Sequence, residues 1–193
     1  MFENGVVGVA AKRKIEAYTA FLFIPNSCII SLDRAKACDE LRPVYQSHSI
    51  FSNNHPDQEQ IILTTFLLYH KLQGKKSFWH PFIEIMNPGD LPWLWPSKEV
   101  NQFMDVELKM ESMQYGKEIE QEWKDLEPVF KTYSDLFPGF SKDIFLEVYN
   151  NVCTRCFGWT LPNTMLVPLA DCQNHLPVDT HYDVYSKDLH ISK

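Results

Sequence analysis

Strand-like sequence stands at the two ends of this chain, in residues 1–32 and 151–193, and the block from 33 to 150 between them reads as helix. Strands, then a long run of helices, then strands again favour one interrupted α+β domain over two independent ones. In the first stretch, Gly5-Val6-Val7-Gly8-Val9-Ala10 is small and apolar. Ala20-Phe21-Leu22-Phe23-Ile24-Pro25 reads as a buried strand stopped by proline, and Cys28-Ile29-Ile30-Ser31 as a third short strand. Glycine in such a strand permits close approach of a ligand, and it equally marks a bulge or a tight turn.

The central block carries three helical patterns. Asp57 is placed to cap a helix whose Ile61, Ile62, Leu63, Phe66, Leu67 and Leu68 are apolar nearly all round, with Gly74 where it should stop. Such a helix belongs in the core. Val106, Met110, Met113, Ile119, Trp123 and Leu126 recur at mostly three- and four-residue steps, giving a second, amphipathic helix with its methionines on the packing stripe. Glu107, Glu111, Lys117, Glu118, Glu120, Glu122 and Lys124 form its solvated face. Ser141 caps a third helix, through Ile144, Phe145, Val148 and Val152 to about Phe157.

After that helix, a strand at Met165-Leu166-Val167 turns abruptly into Asp171, Asn174 and His175 within five positions. Polar groups set so closely behind a core strand need partners if buried. They suit a binding site, and they suit equally an Asx-shaped turn. His181–Tyr185 and Leu189–Ile191 read as a hairpin around Ser186-Lys187-Asp188.

Composition excludes several classes. Apolar residues make up 45% and aromatics 13%, which is globular, and no apolar run reaches the length of a membrane span. A net charge of −7 argues against a nucleic-acid backbone as partner and leaves an acidic surface that suits a basic peptide. Five irregularly spaced cysteines with no secretory signal read as reduced thiols in an intracellular, reducing compartment. Cys153 and Cys156 have CxxC spacing, but without a second pair the core reading is preferred to metal or redox chemistry.

Four segments resemble, in order, the SET-domain protein-lysine methyltransferases, specifically the Rubisco large-subunit methyltransferase-like group with a helical insertion. Gly8-Val9-Ala10-Ala11-Lys12-Arg13-Lys14-Ile15 is similar to the family's glycine strand and its A-x-R-D-I turn, and Ile24-Pro25 to its I-P strand end. Val6 stands where the first family glycine falls, and Lys14 replaces its Asp. Ser77-Phe78-Trp79-His80-Pro81-Phe82 is similar to S-x-W-x-P-Y, followed by Leu91-Pro92-Trp93; it is expected to be mainly a packing corner. Arg155-Cys156-Phe157 looks like R-x-F, and Val167–His175 like V-P-x-A-D-x-x-N-H, with 16 residues from Arg155 to Asp171.

The resemblance implies a SET-type β fold interrupted by a long helical insertion and lacking its final strands, with S-adenosylmethionine as cofactor. Backbone at Val7, Gly8 and Val9 would lie against the methionine portion, and Arg155 would reach its carboxylate. Asn174 would meet its amino group, the His175 backbone the adenine edge, and Asp171 would brace the turn. No metal ligand or catalytic residue is implied. The family's tunnel-closing tyrosine segment, G-E-x-x-x-x-Y-G, is not found before Lys193, so both ends are expected to be cut points of a larger domain. Two functions follow: a protein-lysine N-methyltransferase acting on a protein substrate, or a non-catalytic SET-like structural subunit of a larger assembly.

Overall fold

The most apolar helical stretch of the sequence lies at the centre of the fold. In a computed structural model, which describes residues 8–87, 89–158 and 161–174, β1 (Ile30–Ser31) runs into α1 (Leu32–Lys36). There follow α2 (Arg42–Ser47), α3 (Gln58–Gln73), α4 (His80–Ile85), α5 (Ser97–Val100), α6 (Val106–Thr132) and α7 (Lys142–Arg155), then β2 (Cys156–Phe157) and β3 (Met165–Leu166). Every residue of α3 from Ile61 to Leu68 is buried. A helix apolar on all sides needs neighbours on all sides, and α1, α4 and α7 supply them. It ends at Gly74, whose φ of +53° suits glycine. Asp57 caps through its backbone rather than its side chain: its carbonyl accepts from Ile61 N at 2.9 Å.

The other long helices are capped by side chains, at Ser141 as expected and at Asp105, which was not singled out in the sequence. Asp105 Oδ1 accepts from Leu108 N (3.0 Å) at the start of α6, and Ser141 Oγ accepts from Ile144 N (3.3 Å) at the start of α7. In α6 the apolar stripe divides. Ile119, Trp123, Leu126, Val129 and Phe130 are buried, where Phe137, Phe140 and Phe145 close an aromatic cluster around them. Val106 and Met110 are each 66% exposed and Met113 41%: Pro92–Leu94 and α5 pack on this part of the helix, but the six-residue step from Met113 to Ile119 turns these three side chains about 120° away from the buried stripe. The expectation that the whole stripe is core therefore fails in its first half. α7 stops at Arg155, two residues before the expected end, since Cys156 and Phe157 turn out of the helix to pair with β3.

The sheet is small and antiparallel, ordered β1-β3-β2, with Ile30 opposite Leu166 and Cys156 opposite Leu166 on the other edge. Two-residue strands with long helices inserted between β1 and β2 make an α+β fold with a helical insertion. Here the expected third strand forms, shortened to Ile30–Ser31. The strand expected at Ala20–Pro25 does not: these residues pair with no described strand, and Phe21 and Phe23 are exposed. An apolar run ending in proline identifies extended chain, but a strand also needs a partner ladder and a covering face. Residues 8–10 are likewise irregular. The expected hairpin at His181–Ile191 lies outside the described residues.

The Ser77–Phe82 segment is a packing corner, as expected. Trp79 Nε1 donates to the Cys28 carbonyl (3.3 Å), and its ring meets Phe66 and His70 edge-on at 5.3 and 4.8 Å. Arg34 lies over the same ring. This corner pins the chain entering β1 onto α3.

One seam is tuned by a buried proton. Glu122 on α6, expected on the solvated face, is instead 6% exposed because it lies against α7; it bonds to the Tyr149 hydroxyl and keeps its Oε2 without a partner among the described residues. Burial, with Asp57, Glu118 and Asp125 nearby, lifts its carboxyl from 4.5 to about 7. The unfolded chain thus ionises first, so this group's contribution to stability falls as pH rises from about 4.5 to 7. His70 acts oppositely: burial lowers it to about 4, so its contribution falls as pH drops below 6.5. Comparing wild type with Glu122→Gln isolates the first effect. The variant is expected to gain on the order of 2 kcal/mol relative to wild type between pH 5 and 8 in urea titrations, after allowance for solvent screening. An unchanged difference across that range would contradict the assignment.

Candidate functional site

The register of β2 and β3 builds the site. Cys156 stands opposite Leu166, so Arg155, just before β2, and Val167, just after β3, leave the sheet at the same end. The chain then turns back on itself: Asp171 N donates to the Val167 carbonyl (3.2 Å), and a 3-10 turn runs from Ala170 to Cys172. Leu169, at φ +69°, holds the bend in a conformation non-glycine residues seldom adopt. The turn carries Asp171 to Arg155, whose Nη1 donates to Asp171 Oδ2 at 3.1 Å. The Asp171 side chain is fully buried and that of Arg155 19% exposed. Burial pushes the Asp171 carboxyl up, and the guanidinium opposes that shift.

Arg155 is held from two further directions. Its Nε donates to Asn151 Oδ1 (3.1 Å), one helical turn back on α7, and its Nη2 to the Asn87 carbonyl (2.9 Å). These three bonds use one N–H at each nitrogen of the five that a guanidinium carries. Asn151 and Asn87 were not singled out in the sequence. The four-residue step from Asn151 to Arg155 on a helix is the signal that could have found the first; nothing local marks the backbone of Asn87.

Past the turn, Asn174 reaches the other end of the chain. A side chain begun at Gly8 would place its Cβ 2.5 Å from Asn174 Nδ2 and 2.9 Å from its Cγ, so the Asn174 side chain would have to move to admit it. Gly8 and Asn174, 166 positions apart, thus face one another, and Asn174 follows the turn that carries Asp171 to Arg155. Val9 beside Gly8 is exposed. Of the seven expected cofactor-contacting residues, Gly8, Val9, Arg155, Asp171 and Asn174 are described, and Val7 and His175 lie outside the described residues.

Glu59 fixes the approach to β3. Its Oε2 accepts from both Thr164 N (3.0 Å) and Thr164 Oγ1 (2.5 Å), tying the start of α3 to the residue before the strand. Beside it is a cleft of about 340 Å³ lined by Asp57, Glu59, Gln60, Cys153, Cys156 and Thr164. Burial pushes the Cys153 thiol to about 12 and that of Cys156 well up, so both stay protonated near neutrality. Gln60 Nε2 donates to Cys153 Sγ at 2.7 Å. Among the described residues no group of three or more His, Cys, Asp or Glu side chains is arranged to hold a metal ion, and no helix is long and apolar enough to cross a membrane.

The fold matches solved structures of SET domains. Rubisco LSMT bound to AdoMet superimposes with a TM-score of 0.65 at 20% identity, over 80% of this chain and 34% of that one. The SET domain of LSMT bound to lysine and AdoHcy gives 0.67 at 21% identity, over 83% and 35%. Rubisco LSMT bound to sinefungin and monomethyllysine gives 0.69 at 20% identity, over 84% and 36%. The chain spans about a third of the length of these structures. No family model matches it, and no curated protein matches it in sequence. The likeness is one of fold: a SET-type domain carrying a helical insertion.

Proposed function

We propose that the chain binds S-adenosylmethionine beside the Gly8–Asn174 contact and Arg155, in the service of protein-lysine methyl transfer. The observation that carries this is the turn after Asp171, which begins where Asp171 meets an arginine held by three partners and ends with Asn174 against the bare backbone of Gly8. The donor set fits an amino acid. A guanidinium suits a carboxylate, and an Asn side-chain oxygen accepts from an ammonium. Arg155 would take the carboxylate with the N–H groups left beyond Asp171 and Asn87, and Asn174 the amino group. The Val7–Val9 backbone would line the methionine portion, and the His175 backbone would meet the adenine edge. Asp171 braces the turn and fixes the arginine plane.

When bound, S-adenosylmethionine supplies an electrophilic methyl group on a sulfonium. The protein's part in such a reaction is alignment with an uncharged lysine amine, which must be kept out of water. No residue of the chain is assigned a catalytic role. The second reading, a SET-like structural subunit, draws on Arg155, whose bonds to Asp171, Asn151 and Asn87 already serve to lock α7 to the turn.

The test is substitution at the Gly8–Asn174 contact. Gly8→Ala would set its Cβ 2.5 Å from Asn174 Nδ2 and push that side chain aside. Because Gly8 lies outside the core, its melting temperature should stay near wild type while affinity for S-adenosylmethionine falls at least about tenfold, roughly 1.4 kcal/mol, by calorimetric titration. Unchanged affinity would contradict the assignment of this contact.

A further inference from the structure

Charge is sorted around α6. At 3.6 residues per turn its lysines, Lys109, Lys117, Lys124 and Lys131, fall within one sector of about 80°. Glu107, Glu111, Glu118, Glu122 and Asp125 fall within about 60° of one another, on roughly the opposite side. Two acids enter the lysine sector, and both are already bound: Glu120 to Lys142 and Glu127 to Lys131. Lys117 and Lys124 are exposed and form no salt bridge among the described residues. A chain with a net charge of −7 thus carries a strip with surplus positive charge.

The strip faces a groove. About 540 Å³ of space lies between α6 and the 93–100 segment, lined on the helix by Met113, Gly116, Lys117 and Lys124 and across from it by Trp93 and Trp95. Gly116 lets the two walls approach, since a Cβ there would stand 3.3 Å from the Trp93 carbonyl oxygen. Both tryptophans are half-buried and held by their indole N–H groups. Trp93 Nε1 donates to Asn150 Oδ1 of α7 (2.7 Å), and Trp95 Nε1 to Asp90 Oδ1 (2.5 Å), which occupies that carboxylate oxygen. On α5, Lys98 and Glu99 offset one another. Asn150 precedes Asn151, which holds Arg155, so the aromatic wall shares α7 with the candidate cofactor site.

Charge and shape together select an occupant. Lys117 and Lys124 stand seven residues apart, about 10 Å along the helix, a span that two carboxylates of one short segment can bridge. The tryptophans opposite take an apolar side chain carried between those carboxylates. A long polyanion such as nucleic acid is disfavoured, because beyond the strip it would meet the acidic remainder of the chain. We propose that the groove between α6 and the 93–100 segment is a docking site for an acidic segment of a partner protein, in which an apolar anchor is flanked by aspartates or glutamates.

The test uses two fluorescently labelled peptides of about 12 residues, roughly 40 Å when extended, with the same central leucines. One flanks them with glutamates and the other with lysines. By anisotropy, the chain should bind the glutamate peptide at least about tenfold more tightly than the lysine peptide. The assay omits S-adenosylmethionine, so its result does not depend on methyl-donor binding. The double reversal Lys117→Glu/Lys124→Glu and, separately, Met113→Glu should each weaken that binding at least about tenfold. Reversing two exposed lysines outside the groove, Lys36→Glu/Lys75→Glu, alters net charge equally and should leave it unchanged. All these positions are exposed, so folding should survive, as thermal melts would verify. No saturable binding of the glutamate peptide, equal binding of both peptides, or equal loss in the control reversal would overturn the proposal. So would tighter binding of a single-stranded oligonucleotide, or a dimer in sedimentation, that Lys117→Glu/Lys124→Glu abolishes, since the strip would then serve nucleic acid or a second copy of this chain.

Discussion

Replacing Arg155 with alanine is expected to destabilise the chain by about 3–5 kcal/mol, because it leaves the carboxylate of Asp171 buried with its cation removed. The Asp171 side chain has no exposure, and burial already pushes its carboxyl up against the pull of Arg155. The same substitution removes the bond to Asn151 within α7 and the bond to the Asn87 carbonyl, which ties α7 to the segment after α4. Urea unfolding with an unchanged slope would measure the loss. The double variant Arg155→Met/Asp171→Leu should recover most of it, since an apolar pair of similar volume is often neutral where a broken ion pair is not. A double variant as unstable as the single one would show that Asn151 and Asn87, not the ion pair, carry the stability.

Phe130→Ala should cost a similar amount, about 3–5 kcal/mol, through a different route. Phe130 is fully buried and its ring meets Phe137 at 4.8 Å, Phe140 at 5.8 Å and Phe145 at 6.4 Å. Removing it empties the joint where α6, the turn after it and α7 converge, and rings on three sides cannot all collapse into the space. Thermal unfolding should show a drop of several degrees or more, while Met110→Ala, on the bare half of the same helix, should shift it little. Comparable losses at the two positions would contradict the division of α6 into a packed and an unpacked half.

That division marks where sequence stops being sufficient. The spacing of Val106, Met110 and Met113 specifies that they share one side of the helix, and the six-residue step to Ile119 sets that side about 120° from the one carrying Ile119 and Trp123. It cannot say which side a neighbour covers. Phe21, Leu22 and Phe23 fail in the same way: their composition reads as strand, but the partner ladder is a property of other residues. Local chemistry was legible. Ser141 accepts the bond that its position suggests, Gly74 takes the positive φ that ends α3, and Met165–Leu166 forms the strand expected there.

The candidate site lies between these cases. The 16-residue step from Arg155 to Asp171 becomes an ion pair because the Cys156–Leu166 register returns the chain to the same end of the sheet. Of the two readings of Leu166–His175, the turn is present as far as Asn174, and it aims Asn174 at Gly8. Asn87 stayed hidden, since a backbone carbonyl carries no sequence signal.

Isothermal titration of the chain with S-adenosylmethionine, beside Asn174→Ala, tests the central claim most directly. Asn174 is exposed and outside the core, so the variant should fold as wild type does. The account predicts saturable binding by wild type and at least about tenfold weaker binding by the variant. No heat of binding at millimolar cofactor, or equal affinity in the two proteins, would contradict it.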